Sequence, residues 1–198
     1  MGFNRHTRTS LFMMDSTENE GNKEAVMDFV VSWTLRMAVC YRRKKHKRLH
    51  EYCRNFLSLL LERKFSCKTN VVKVETWKQY HGIDLWVRVL LEENGNLEQH
   101  EILIEDKVYS PLANGQLQKY RKIFNEYLDE NFPHAKRHYL LLTCYESWDS
   151  KIKRYDEALN LKFKVIPWDK IIAAMFKGKN PIYAENDIFN EFWINGWA

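Results

Sequence analysis

Two carboxylates and an ammonium, Asp84, Glu105 and Lys107, flank Asn94-Gly95, the dipeptide that most favours a two-residue hairpin turn. Before the turn, Ile83, Leu85, Val87, Val89 and Leu91 alternate with Asp84, Trp86, Arg88 and Leu90; after it, Ile102, Ile104 and Val108 continue the alternation. A loop centred on Asn94-Gly95 pairs residues whose numbers sum to 189, which sets Asp84 opposite Glu105. The same register pairs Leu85 with Ile104, Val87 with Ile102, and Arg88 with Glu101 as a cross-strand ion pair. Opposed carboxylates stand about 4.5 to 5.5 Å apart at Cβ and repel unless something neutralises them. Lys107 follows on the same strand face, roughly 7 Å along. A divalent cation would relieve the repulsion, and Mg²⁺ takes oxygen ligands of this kind together with water and phosphate. The ion would acidify a bound water and Lys107 would orient that water or stabilise developing charge, so phosphodiester hydrolysis is the natural chemistry. The same geometry would also serve a surface ion network in which Lys107 bridges two acids.

The elements that must position these groups follow from hydrophobic period. Val26, Phe29, Val30, Trp33 and Met37 predict one amphipathic helix, and Leu49, Tyr52, Cys53, Phe56, Leu57 and Leu60 a second. Val71 to Tyr80 predicts a strand that His81-Gly82 ends, followed by the hairpin strands. Leu117, Tyr120, Phe124 and Leu128 predict a helix after Asn114-Gly115, and Tyr139 to Cys144 a strand buried on both faces. Phe163 to Ile166 predicts a shorter strand after a connecting helix, and Ile171, Ile172 and Met175 the helix that follows it. This order argues an α/β domain with a mixed sheet flanked by helices. Residues 1–22 are polar and aperiodic and read as a flexible tail, with residues 23–198 as one domain. Phe189, Phe192, Trp193 and Trp197 predict a docked terminal helix, or else an exposed patch for a second copy or a protein partner.

In Gly82-Ile83-Asp84-Leu85-Trp86 and Ile102-Leu103-Ile104-Glu105-Asp106-Lys107-Val108 the sequence resembles the PD-(D/E)XK nuclease superfamily, whose motif is an Asp on one strand and a Glu-x-Lys on its antiparallel neighbour. Gln116-Leu117-Gln118-Lys119-Tyr120 is similar to the Q-x-x-x-Y element of exonuclease-like branches. The resemblance covers roughly residues 45 to 145, with Ile83 in place of the family's Pro. It implies a restriction-endonuclease-like αβββαβ core, here with an extra N-terminal helix. It further implies Mg²⁺ or Mn²⁺ on Asp84 and Glu105 with help from the Asp106 carbonyl, and Lys107 as catalytic base or stabiliser. Gln116 would support the site or the DNA, and Tyr120 a phosphate, although Tyr120 also lies on the apolar stripe of its helix. Many members add a Glu from the first core helix; Glu51 holds that position but falls opposite its helix's apolar stripe, outside the site. The implied activity is a metal-dependent nuclease acting on DNA, with RNA left open. A nucleic-acid-binding or adaptor domain that keeps the fold without turnover is the alternative.

At 198 residues, 45% hydrophobic and 14% aromatic, the chain suits one ordinary globular domain. It shows no run long enough to span a membrane, no signal-peptide pattern, and four cysteines without disulfide or zinc spacing, which together suit a cytoplasmic protein. Arg42, Arg43, Lys44, Lys45, Lys47 and Arg48 concentrate the positive charge; without them the net +5 becomes −1. Such a run serves either as a phosphate-binding patch or as a solvated helix end. If it binds phosphates, neutralising four of the six should weaken binding to all sequences alike. The slope of log affinity against log salt should then flatten by just under about one unit per lost contact. An unchanged slope in a salt titration would reduce the run to a solvated surface.

Overall fold

The computed structural model describes residues 21–39 and 46–195. Helices α1 (Gly21–Met37) and α2 (Lys47–Leu60) precede strands β1 (Asn70–Tyr80), β2 (Ile83–Glu93) and β3 (Asn96–Lys107). Then come α3 (Gln116–Asn131), β4 (Lys136–Thr143), a 3-10 turn (Ser150–Tyr155) and a short α4 (Asp156–Asn160). Strand β5 (Lys164–Pro167), α5 (Trp168–Met175) and a single turn α6 (Asp187–Phe189) running into a π turn (Asn190–Ile194) complete the order. The described residues form one sheet in the order β1-β2-β3-β4-β5, antiparallel through β3 and parallel from β3 to β5. This is the expected mixed α/β sheet of a restriction-endonuclease-like core.

Turn chemistry explains the hairpins. Asn94 and Gly95 have φ of 53° and 81°, the left-handed pair a type I′ turn requires, and the β2–β3 ladder keeps the expected register from Leu85 opposite Ile104 to Glu93 opposite Asn96. His81 and Gly82, at φ of 55° and 80°, turn β1 into β2 in the same way, with Tyr80 opposite Ile83.

Alternation sends successive side chains to opposite cores. Leu85, Val87, Ile102, Ile104, Leu140 and Leu142 pack against α1, α2 and α5. Trp86, Leu103 and Leu141 pack instead against Leu117, Phe124 and Leu128 of α3. Helix α2 buries the predicted stripe of Leu49, Cys53, Phe56, Leu57 and Leu60. Helix α1 departs from expectation: Phe29 is 65% exposed beneath the Lys78 ammonium, while Met27, Val31, Thr34 and Leu35 are buried. The rotation follows from α1 being covered by both α2 and β1, so that a wider arc is buried than a single stripe. At the C-terminal end, Phe189, Phe192 and Trp193 are buried, with Trp193 stacked on Trp168 and in contact with Phe56. These aromatics belong to the core, which corrects the reading of them as a surface for a second copy or protein partner; Trp197 lies outside the described residues. No described helix is long and apolar enough to cross a membrane.

Phe124, fully buried against Trp86 between α3 and the sheet, is the natural probe of this second core. Phe124→Ala should cost about 3 to 5 kcal/mol, read as a lowered denaturant midpoint at unchanged m.

Candidate active site

Where the β2–β3 ladder ends, Asp84 and Glu105 stand one step beyond the Leu85–Ile104 pair, in the expected register. Both are on the α3 face of the sheet. Glu105 is completely buried; its Oε1 accepts from Lys107 Nζ at 2.7 Å and from Gln116 Nε2 at 2.7 Å, whereas its Oε2 is buried without a donor. The Asp84 carboxyl lies within hydrogen-bonding reach of Glu105, so the two acids must share a proton or be separated by a cation. Burial first, and the Asp84 charge second, push the Glu105 carboxyl up to about 8 despite Lys107. For Lys107 burial acts downward, but the charge and hydrogen bond of Glu105 together outweigh it and raise the ammonium to about 12.

Gln116 opens α3 after Gly115, whose φ of 72° turns the chain into the helix. Its amide reaches Glu105 and, at 3.3 Å, the Tyr120 hydroxyl one turn further on. Tyr120 is half-buried at this edge, which reconciles its place on the helix stripe with a place in the site. Gln79 Nε2 donates to Asp84 Oδ1 at 3.1 Å from the other side. Asp84, Glu105, Lys107, Gln116 and Tyr120 therefore converge.

Of the basic run, the two described residues do not join them. Lys47 and Arg48 occupy the first turn of α2, where Arg48 Nη1 donates to the Tyr183 carbonyl at 2.7 Å and Glu185 accepts from the backbone N–H groups of Arg48 and Leu49. Arg42, Arg43, Lys44 and Lys45 lie outside the described residues. Glu51 is exposed and pairs with Lys177 at 2.7 Å, away from the cluster.

The acids that α1 contributes escaped the sequence reading. Asp28, buried beneath the sheet, is hydrogen-bonded to Asp106, the middle residue of the Glu-x-Lys, and Lys78 Nζ lies 3.9 Å from its Oδ2. Burial raises Asp28 to about 6 and holds Asp106 well above the carboxylate range, where the Asp28 charge adds to the shift, so the pair holds a proton between them. One turn before Asp28, Glu24 accepts from the Ser110 hydroxyl just past β3. The available signal was Asp28 itself, the lone charge within Ala25-Val26-Met27-Asp28-Phe29-Val30-Val31.

The family model of the PD-(D/E)XK nuclease superfamily matches residues 4–193. The chain belongs to that superfamily. No curated protein and no solved structure matches it. The donorless Glu105 Oε2 beside a second carboxylate fits a hard divalent cation.

Glu105 and Asp28 carry raised native pKa values, so the native state binds more protons than the unfolded chain between the ordinary carboxyl range and about 8. In the metal-free protein the stability these two groups contribute should be fully present below that range and be lost as pH rises through about 6 and then about 8. Asp84→Asn removes one of the charges that raise Glu105, so it should soften the upper part of this decline. Without metal the variant should melt at or above wild type, and the Mg²⁺-induced rise in melting temperature should vanish. A lower metal-free melt, or a retained Mg²⁺ response, would mean that Asp84 serves only as an ordinary ion-pair partner.

Proposed function

We propose that this protein hydrolyses phosphodiester bonds of DNA with Mg²⁺ or Mn²⁺ held by Asp84 and Glu105. The observation that carries the reading is the pair of opposed carboxyls with a buried, donorless Glu105 oxygen, set beside an ammonium on the same strand face. The bound ion supplies Lewis acidity toward the phosphate and lowers the pKa of a water.

The chain's own residues then have distinct parts. Lys107, raised to about 12, stays charged at neutral pH, which favours orienting a water and stabilising charge on the phosphate over service as a base. In the reaction a water oxygen bonds to phosphorus, one ester P–O bond breaks, and the proton released from water passes to solvent or to the departing oxygen. Gln116 positions Glu105 by holding its Oε1, leaving the other oxygen free for the cation. The Tyr120 hydroxyl, which accepts from Gln116, would meet a phosphate oxygen.

Purified protein incubated with linear, circular and single-stranded DNA and with RNA, with Mg²⁺ or with chelator, tests the proposal on one gel. Cleavage should need the ion, and Lys107→Ala should lower the rate by at least about 100-fold with the fold retained. Wild-type cleavage by the variant would reject this site, and binding without cleavage under every condition would favour an inactive nucleic-acid-binding domain.

A further inference from the structure

Beside the acids, on the same face of the sheet, lies a cavity of about 120 Å³ lined by Trp77, Tyr80, Trp86, Arg88 and Tyr127. Trp86 follows Asp84 by two residues, about 7 Å along β2. Trp77 stands directly opposite Trp86 on β1, and Tyr127 lies two turns beyond Tyr120 on α3. The His81–Gly82 turn joins the two places: the His81 ring lies 4.2 Å, centroid to centroid, from that of Tyr80 in the cavity wall, and a Cβ at Gly82 would lie 3.8 Å from the Tyr120 ring.

We infer that this aromatic cavity receives one unpaired nucleobase of the strand whose phosphate lies at Asp84 and Glu105. The inference rests on the proposed phosphodiester chemistry and specifies its substrate as nucleic acid with an unpaired base beside the scissile phosphate.

Three observations carry it. The walls are ring faces and edges, with Tyr80 centroids 5.5 Å from Trp86 and 6.3 Å from Tyr127, surfaces on which any base can stack. The walls are also held in place: the buried Glu101 carboxylate accepts from Trp86 Nε1 at 2.7 Å and from Arg88 Nε, and the Arg88 guanidinium packs over Phe132 at 3.9 Å and Trp77 at 5.3 Å. Finally, a guanidinium on the wall opposes a quaternary ammonium, the other ligand class that aromatic cages take, and suits the carbonyl acceptors of a base. The cavity has room for one flat ring system and none for a base pair, so a paired base would have to leave its stack to enter.

The test measures binding of single-stranded DNA carrying 2-aminopurine, first in chelator and then with Mg²⁺ in the Lys107→Ala background. Wild type should quench the probe, and a probe abasic at that position should bind roughly 5- to 100-fold more weakly. Tyr80, 36% exposed, can be truncated without opening a core. Tyr80→Ala should lower affinity for the intact strand and erase the distinction between intact and abasic probes, whereas Tyr80→Trp should restore both. Fully paired blunt duplex should bind wild type and Tyr80→Ala alike. Equal affinity for intact and abasic probes, unchanged binding by Tyr80→Ala, displacement of the probe by tetramethylammonium, or no single-strand binding under either condition would overturn the inference. A protein that binds unpaired bases in this way but cleaves nothing would refute the nuclease reading and leave the cavity's assignment intact.

Discussion

Repulsion between Asp84 and Glu105 is the constraint on which the rest of this structure depends. Two carboxyls face each other at the end of a ladder, one of them wholly buried, and the protein satisfies only one oxygen of that buried group. Lys107 and Gln116 converge on Oε1, so the attraction is directed to one side of the carboxyl and the unmet demand is left on the other. A fully satisfied Glu105 would be a better structural ion pair and a poorer ligand.

Charge accumulates on both faces of β3 at the same point. Asp106 points through the sheet to Asp28, and the Asp84 charge helps to hold both of these acids in the protonated direction. Four carboxyls thus surround the end of a single strand, with the Lys107 ammonium on one face and that of Lys78 near the other. The sheet keeps the two acid pairs on opposite faces, while their fields add. A cation on the α3 face would feel the negative potential of α1 as well as that of its own ligands.

The surrounding architecture makes the arrangement rigid. β3 is buried along its last eight residues because β2, β4 and helices on both faces enclose it, and the acids inherit that burial. Asp84 and the aromatic cavity share the less protected side, along the β1–β2 turn. Here Gln79, His81 and Gly82 all have positive φ, and the two non-glycine residues carry a local conformational cost of the kind often kept where the backbone must present side chains in a fixed way.

Short-range information in the sequence determined the β2–β3 hairpin. Asn94-Gly95 demands a turn of one kind, period-two alternation admits one register, and the opposition of Asp84 and Glu105 then follows without knowledge of any other element. The meeting of Gln116 and Tyr120 on one side of α3 was legible through the helix period and the family resemblance. What only tertiary structure decided involves residues far apart in the chain: the pairing of Asp28 with Asp106, the rotation of α1 that exposes Phe29, the capping of α2 by Glu185, and the meeting of Trp77, Trp86 and Tyr127 around one cavity. Local periodicity states which face of an element is apolar but carries no term for which other element will cover it. An acid such as Asp28 therefore shows in the sequence only as a break in an apolar helix, and becomes part of a site when the packing of α1 across β3 brings it to Asp106.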